Sequence, residues 1–136
     1  KLEAMRGLLR SQYQLQKWKE AVENAKELTA AKGSSGDDKS LANMAIAKSH
    51  QVDGQYDLAI GTYKSVVQLN KAALAAEARY EIGNCLFQIN KLDDAEKAAF
   101  ETINKSGSYD YWVTKAYILL GEEFWKQLSQ SASSLR

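Results

Sequence analysis

Gly83 and Ala95 stand 12 residues apart, and the same interval separates Ala47 from Ala59 and Leu9 from Ala21. A short break lies inside each interval, at Gln16-Lys17, at Gly54 and at Asn90-Lys91, and a bulky apolar residue follows it: Trp18, Tyr56 or Leu92. Two helices flanking a tight break fold back on each other, and the paired residues then face one another across the hairpin. The first members, Leu9, Ala47, Gly83 and Gly121, follow at steps of 38, 36 and 38 residues while the interval inside each hairpin stays constant. Length variation therefore belongs to the loops between hairpins. A fixed period of this size in helical sequence means a solenoid, because one hairpin cannot bury its apolar face alone and must stack on its copies.

Apolar spacing places the elements. Leu2, Met5, Leu8 and Leu9 mark one face of a first helix, and Trp18, Ala21, Val22, Ala25 and Leu28 the inward face of its partner. The hairpins are expected at about 2–32, 40–70 and 72–105, followed by a terminal helix at 109–128 and a polar tail at 129–136, all in one domain of 1–128. The Gly33 to Asp38 stretch falls between hairpins and reads as a surface loop rather than a domain linker, with Asp37, Asp38 or Ser40 capping the next helix. Ala72 to Ile89 is the longest uninterrupted helical pattern and is rich in Ala, the residue that loses least on entering a helix.

The pattern resembles the tetratricopeptide repeat, most clearly in Ile46-Ala47, His50, Gly54, Tyr56, Ala59 and Tyr63 and in Ile82-Gly83, Leu86, Leu92 and Ala95. The resemblance implies an all-α, right-handed α-solenoid of three helical hairpins plus a terminal helix, serving as a binding scaffold. The family's closing proline is absent, since the chain has none; Gly33, Lys71 and Gly107 stand there instead. Glycine stops a helix by another route, through a left-handed residue. Tyr111-Trp112-Val113 leading into Ala116-Tyr117-Ile118-Leu119-Leu120 also resembles large repeat proteins of the bacterial cell envelope. That points to the periplasm, with the cytoplasm as the alternative. The chain opens at Lys1 inside a helical pattern and reads as a piece of a longer polypeptide.

A net charge of +1 supplies no bulk attraction to nucleic acid or to a membrane surface, and no apolar run is long enough to insert. Cys85 is the only cysteine, so no internal disulfide forms, and with no CxxC spacing it reads as a small buried hydrophobe. His50, the sole histidine, takes a core or groove position rather than a catalytic one, which would need an orienting partner and a nucleophile. No His, Cys and carboxylate set has metal-ligand spacing, and no phosphate loop occurs. The paired acids Asp37-Asp38 and Asp93-Asp94 read as helix-end electrostatics and Glu122-Glu123 as an exposed face. No enzymatic activity, cofactor or metal is expected.

What remains is surface. Carried over from the family in register, the groove positions fall on Arg6, Arg10 and Tyr13 in the first unit and on Met44, Lys48 and Gln51 in the second. Tyr80, Asn84 and Phe87 follow in the third unit and Ile118, Glu122 and Trp125 in the fourth. Glu3, Gln14, Leu41, Val52, Glu77, Gln88, Lys115 and Lys126 complete the wall. Arginine and aromatic groups anchor interfaces, so a protein or peptide with acidic and apolar residues is the expected partner. The family's clamp for a chaperone C-terminal carboxylate is not expected, because its third-hairpin cations fall on Glu77 and Glu81. The alternative is a spacer within a longer array. The apolar stripe of the terminal helix either covers the preceding hairpin or drives self-association, since each large side chain left in water forgoes roughly 1.5–3 kcal/mol.

Overall fold

The computed structural model of the chain describes residues 1–69 and 72–135; Asn70, Lys71 and Arg136, where the second hairpin, its closing position and the polar tail were expected to end, lie outside the described residues. Among the described residues every regular element is a helix: α1 (Leu2–Gln14), α2 (Trp18–Ala30), α3 (Gly36–Val52), α4 (Tyr56–Leu69), α5 (Ala73–Gln88), α6 (Leu92–Lys105) and α7 (Asp110–Ser134). Each helix packs on the next, and α1 lies against α3, α3 against α5 and α5 against α7. This serial neighbourhood is an all-α helical solenoid, with no closure of the last helix onto the first.

The three breaks are one turn used three times. Gln16, Gly54 and Asn90 adopt left-handed backbone, with φ of 57°, 76° and 63°. In each, the following amide reaches back over the helix end: Lys17 N–H to Gln12 O, Gln55 N–H to His50 O and Lys91 N–H to Leu86 O, all at 2.9 Å. The left-handed residue's own amide donates to Tyr13, Gln51 or Phe87 carbonyl oxygen at 3.0–3.1 Å. This double closure satisfies carbonyls that the ending helix would leave unpaired.

Leu9, Ala21, Ala47, Ala59 and Ala95 are fully buried, as the hairpin spacing requires. At the tightest point a methyl group added to Gly83 would lie 3.4 Å from Ala98 Cβ, 3.6 Å from Ala95 O and 3.2 Å from Leu119 Cδ2. Glycine there lets α5 touch α6 and the next hairpin together. One apolar cluster forms around Leu9, Ala25, Leu28 and Ala45, a second around Met44, Tyr63, Val66 and Cys85, and a third around Tyr80, Ala99, Ala116 and Leu119. The core is thus a row of inter-hairpin seams.

Three expectations change. α3 begins at Gly36, and its cap is Ser35, whose hydroxyl accepts from the Asp38 amide while Asp38 accepts from the Ser35 amide; this reciprocal capping box extends the helix into the presumed loop. Positions 129–134 are helical rather than a polar tail. There Ser129 donates to Trp125 O and Ser134 to Ser131 O, and Gln130 bonds Asn90 Oδ1 at 3.0 Å, so small polar side chains tie the last turns to the helix and to the neighbouring hairpin. Finally, Gly33 is left-handed at φ 92° but Gly107 is not among the positive-φ residues. A Cβ at Gly107 would sit 3.1 Å from Ile103 O, so its need for glycine is space at the end of α6.

Candidate functional site

In this register the candidate groove residues form three columns on α1, α3, α5 and α7, and the structure separates their roles. The column Arg6, Met44, Tyr80 and Ile118 faces the next hairpin. Met44 is 0% exposed and belongs to the core, correcting its assignment to the groove, and Tyr80 is buried against Trp112 at 5.7 Å between centroids. Lys115 stands over the Tyr80 ring at 4.9 Å. Burial pushes the Tyr80 hydroxyl up to about 12, with Glu81, Glu122 and Tyr111 adding to the rise. Ile118, in the same register, is 58% exposed.

The column Tyr13, Gln51, Phe87 and Trp125 divides in the same way. Tyr13 donates its hydroxyl to Glu77 Oε2 at 2.6 Å, bridging the first hairpin to the third. Gln51 accepts from the buried Tyr63 hydroxyl at 2.6 Å. Phe87 lies under Lys126 at 4.7 Å, and Trp125 is 69% exposed. The column Arg10, Lys48, Asn84 and Glu122 lies toward the wall, with Arg10 and Glu122 exposed.

Two of the cations that suggested an acidic partner, Arg6 and Lys48, are already committed. Arg6 Nε donates to Asp38 Oδ1 at 2.7 Å and Arg6 Nη1 to Glu3 at 2.7 Å. The hydrogen bond from Arg6 holds the Asp38 carboxyl at about 2, below the usual carboxylate range, against burial, which acts to raise it. Lys48 lies 3.0 Å from Glu77 and pairs with Glu81. Burial by itself lowers the Lys48 ammonium, and the attraction of Glu81 and Glu77 outweighs it, so the net shift is upward. One ammonium thus faces two carboxylates. Arg6 and Lys48 are thus taken up by carboxylates of the chain, while Arg10 is exposed on the wall.

Around this group lies a depression of about 470 Å³ lined by Lys48, Gln51, Val52, Glu81, Asn84 and Gln88, with Gln16, Trp18 and Tyr56 at its edge. Asn84 Nδ2 donates to Glu81 Oε1 at 3.1 Å and Gln51 Nε2 to the same oxygen at 3.4 Å. Gln16 and Gln88 are exposed and Val52 is two-thirds exposed. A second depression of about 330 Å³ is lined by Arg10, Tyr13, Gln14, Asp37, Asp38, Leu41 and Leu74. Gln14, Val52 and Gln88 recur in register, which is the regularity that sequence reasoning could have weighted above the buried Met44 column.

His50 is half-buried with Nδ1 3.3 Å from Gln55 Oε1. Burial pushes the Cys85 thiol up to about 12, the response of a thiol with no neighbouring cation strong enough to ionise it. Glu123 departs from expectation: it is 2% exposed, not on an open face, and neither carboxylate oxygen has a hydrogen-bond partner. Among the described residues no group of three His, Cys, Asp or Glu gathers to hold a metal, and no helix is long and apolar enough to cross a membrane.

Residues 44–110 match the tetratricopeptide repeat family. Two solved structures of the Yersinia enterocolitica type III secretion translocator chaperone SycD are similar to the chain, each at 25% identity and TM-score 0.72. One, of an alternative dimer, is matched over 93% of both chains; the other over 93% of this chain and 85% of that one. No curated protein sequence matches. The similarity supports protein binding by a helical-repeat fold.

Proposed function

We propose that this protein is an interaction scaffold that holds an extended segment of a partner polypeptide along the wall formed by α3 and α5. The observation that carries this reading is the amide lining of the depression: Gln16, Gln51, Asn84 and Gln88 surround a neutralised Lys48–Glu81 pair, with Val52 as an apolar contact. Carboxamides present a donor and an acceptor together, matching the backbone N–H and C=O of a peptide in extended form. A neutral segment suits the paired charges there. Kinship in fold with a translocator chaperone, a protein that serves another polypeptide, supports the same class of function.

Photocrosslinking tests it. A benzophenone amino acid is placed at Val52, in the wall, or at Leu58, exposed on α4, and adducts from cell extract are mapped by peptide mass spectrometry. One polypeptide segment is expected to cross-link from position 52 and not from 58. Asn84→Ala with Gln88→Ala should then weaken capture about tenfold, the worth of one to two neutral hydrogen bonds. A spacer with no ligand of its own gives no position-specific adduct, and capture that is unchanged in the double variant refutes the site.

A further inference from the structure

The crevice between α4 and α5 is filled by Ile60, Ile82, Cys85, Leu86 and Ile89, all in one apolar cluster. One repeat later the same positions are Glu96, Leu120, Glu123, Phe124 and Gln127, and instead of a filled seam they leave a notch of about 170 Å³ bounded also by Phe100. Three apolar positions have become two carboxylates and an amide. Packing alone gives no reason for this, since a buried carboxylate without partners is costly to ionise. Glu123 is 2% exposed, and neither of its oxygens is bonded.

Beside the notch runs an open strip. A Cβ added at Gly83 would meet Ala95 and Ala98 of α6, whereas one added at Gly121, in the same register on α7, would meet nothing within 4 Å. Leu86 is half-buried in its seam, but its counterpart Phe124 is 63% exposed. The strip has the contour that receives a helix elsewhere in this fold.

We propose that the strip along Gly121 and Phe124 docks an amphipathic helix of another protein, which inserts a lysine or arginine side chain into the notch to pair with Glu123 and Glu96. Charge complementarity selects this occupant over a second copy of the chain. Two α7 helices crossing at Gly121 would bring Glu122 and Glu123 of both copies within about 3 Å of the crossing along each axis. The lysines of α7 do not offset them, because Lys115 and Lys126 stand over Tyr80 and Phe87. A cationic side chain entering the notch displaces no hydrogen bond of Glu123, whose buried carboxylate turns toward the notch to meet it. This surface is separate from the Val52 depression, so either can fail alone.

The test uses two synthetic 18-residue helical peptides of Ala, Leu and Gln, identical except for one central residue, Arg or Gln. Titration calorimetry with the intact protein is expected to show the Arg peptide binding about tenfold more tightly, and Glu123→Gln to reduce that preference to within about twofold. Gly121→Leu should weaken both peptides about tenfold or more by filling the strip. Glu96→Gln, a change on an exposed residue, provides a second reading and should cut the Arg preference about threefold. Equal affinity of the two peptides for the unmodified protein overturns the proposal, as does a tenfold preference that survives in Glu123→Gln. Sedimentation showing a dimer that excludes both peptides assigns the strip to a second copy and also overturns it.

Discussion

Replacing Lys48 with methionine probes the centre of the wall. The ammonium sits between Glu77 and Glu81, with side chains 16%, 12% and 9% exposed respectively, so three charges are largely withdrawn from water and held in place by mutual attraction. Methionine keeps the apolar stem and removes the charge, leaving two carboxylates beside each other with Tyr13 hydrogen-bonded to one of them. Breaking a buried ion pair by deleting one member costs about 3–5 kcal/mol, and the residual exposure favours the lower end. A loss of roughly 3 kcal/mol corresponds to about 10 °C in melting temperature for a domain of this size. Urea unfolding followed by circular dichroism at pH 7 measures it. The triple variant Lys48→Met, Glu77→Gln, Glu81→Gln should recover most of the deficit, since no uncompensated charge remains. A single-variant loss under about 1 kcal/mol, or a triple variant no better than the single, would refute the idea that this cluster is an electrostatic keystone rather than a screened surface pair.

Burial, with Glu96 adding repulsion, pushes Glu123 up to about 7 from 4.5. A carboxyl raised in the folded state favours folding below its unfolded value and loses that contribution as pH rises from about 4.5 through 7. Glu123→Gln should therefore stabilise the protein by about 1–2 kcal/mol at pH 8 and leave it nearly unchanged at pH 4, as read from chemical denaturation. For Asp38 the sign is opposite: its depressed value means the Arg6 and Ser35 contacts stabilise above about 3.8 and are lost as pH falls through about 2. Asp38→Asn should make stability less sensitive to acid in that range. Gln16→Gly relieves a non-glycine left-handed residue and should gain about 1 kcal/mol in thermal unfolding, whereas Gly54→Ala should lose a similar amount. Cys85, with its thiol pushed up to about 12 by burial, should react with iodoacetamide at pH 8 only in denaturant.

Much of the architecture was legible because repetition is a property of order along the chain. The pairs Leu9–Ala21, Ala47–Ala59 and Gly83–Ala95 announce where two backbones approach, and Gln16, Gly54 and Asn90 recur where each turn closes. Local rules suffice for such features, since helix faces and breaks depend on near neighbours. The cap at Ser35 was misplaced by a few residues, because Ser, Asp and Gly in one short stretch offer several competing starts and only the reciprocal Ser35–Asp38 bonds select one.

The groove was less legible, for a physical reason. A column of equivalent positions has one helical phase, yet its exposure depends on what the next hairpin covers: Met44 and Tyr80 are buried, while Ile118 in the same phase lies open. Likewise Arg6 and Lys48 read as free cations until Asp38, Glu77 and Glu81, more than 25 residues away along the chain, are seen to neutralise them. Sequence by itself determined the hairpins, their period and the small residues at their contacts, because these follow from short-range geometry. Only the tertiary structure decided which side chains remain for a partner and that Glu123 is sealed from water, because burial and charge pairing are sums over neighbours distant along the chain.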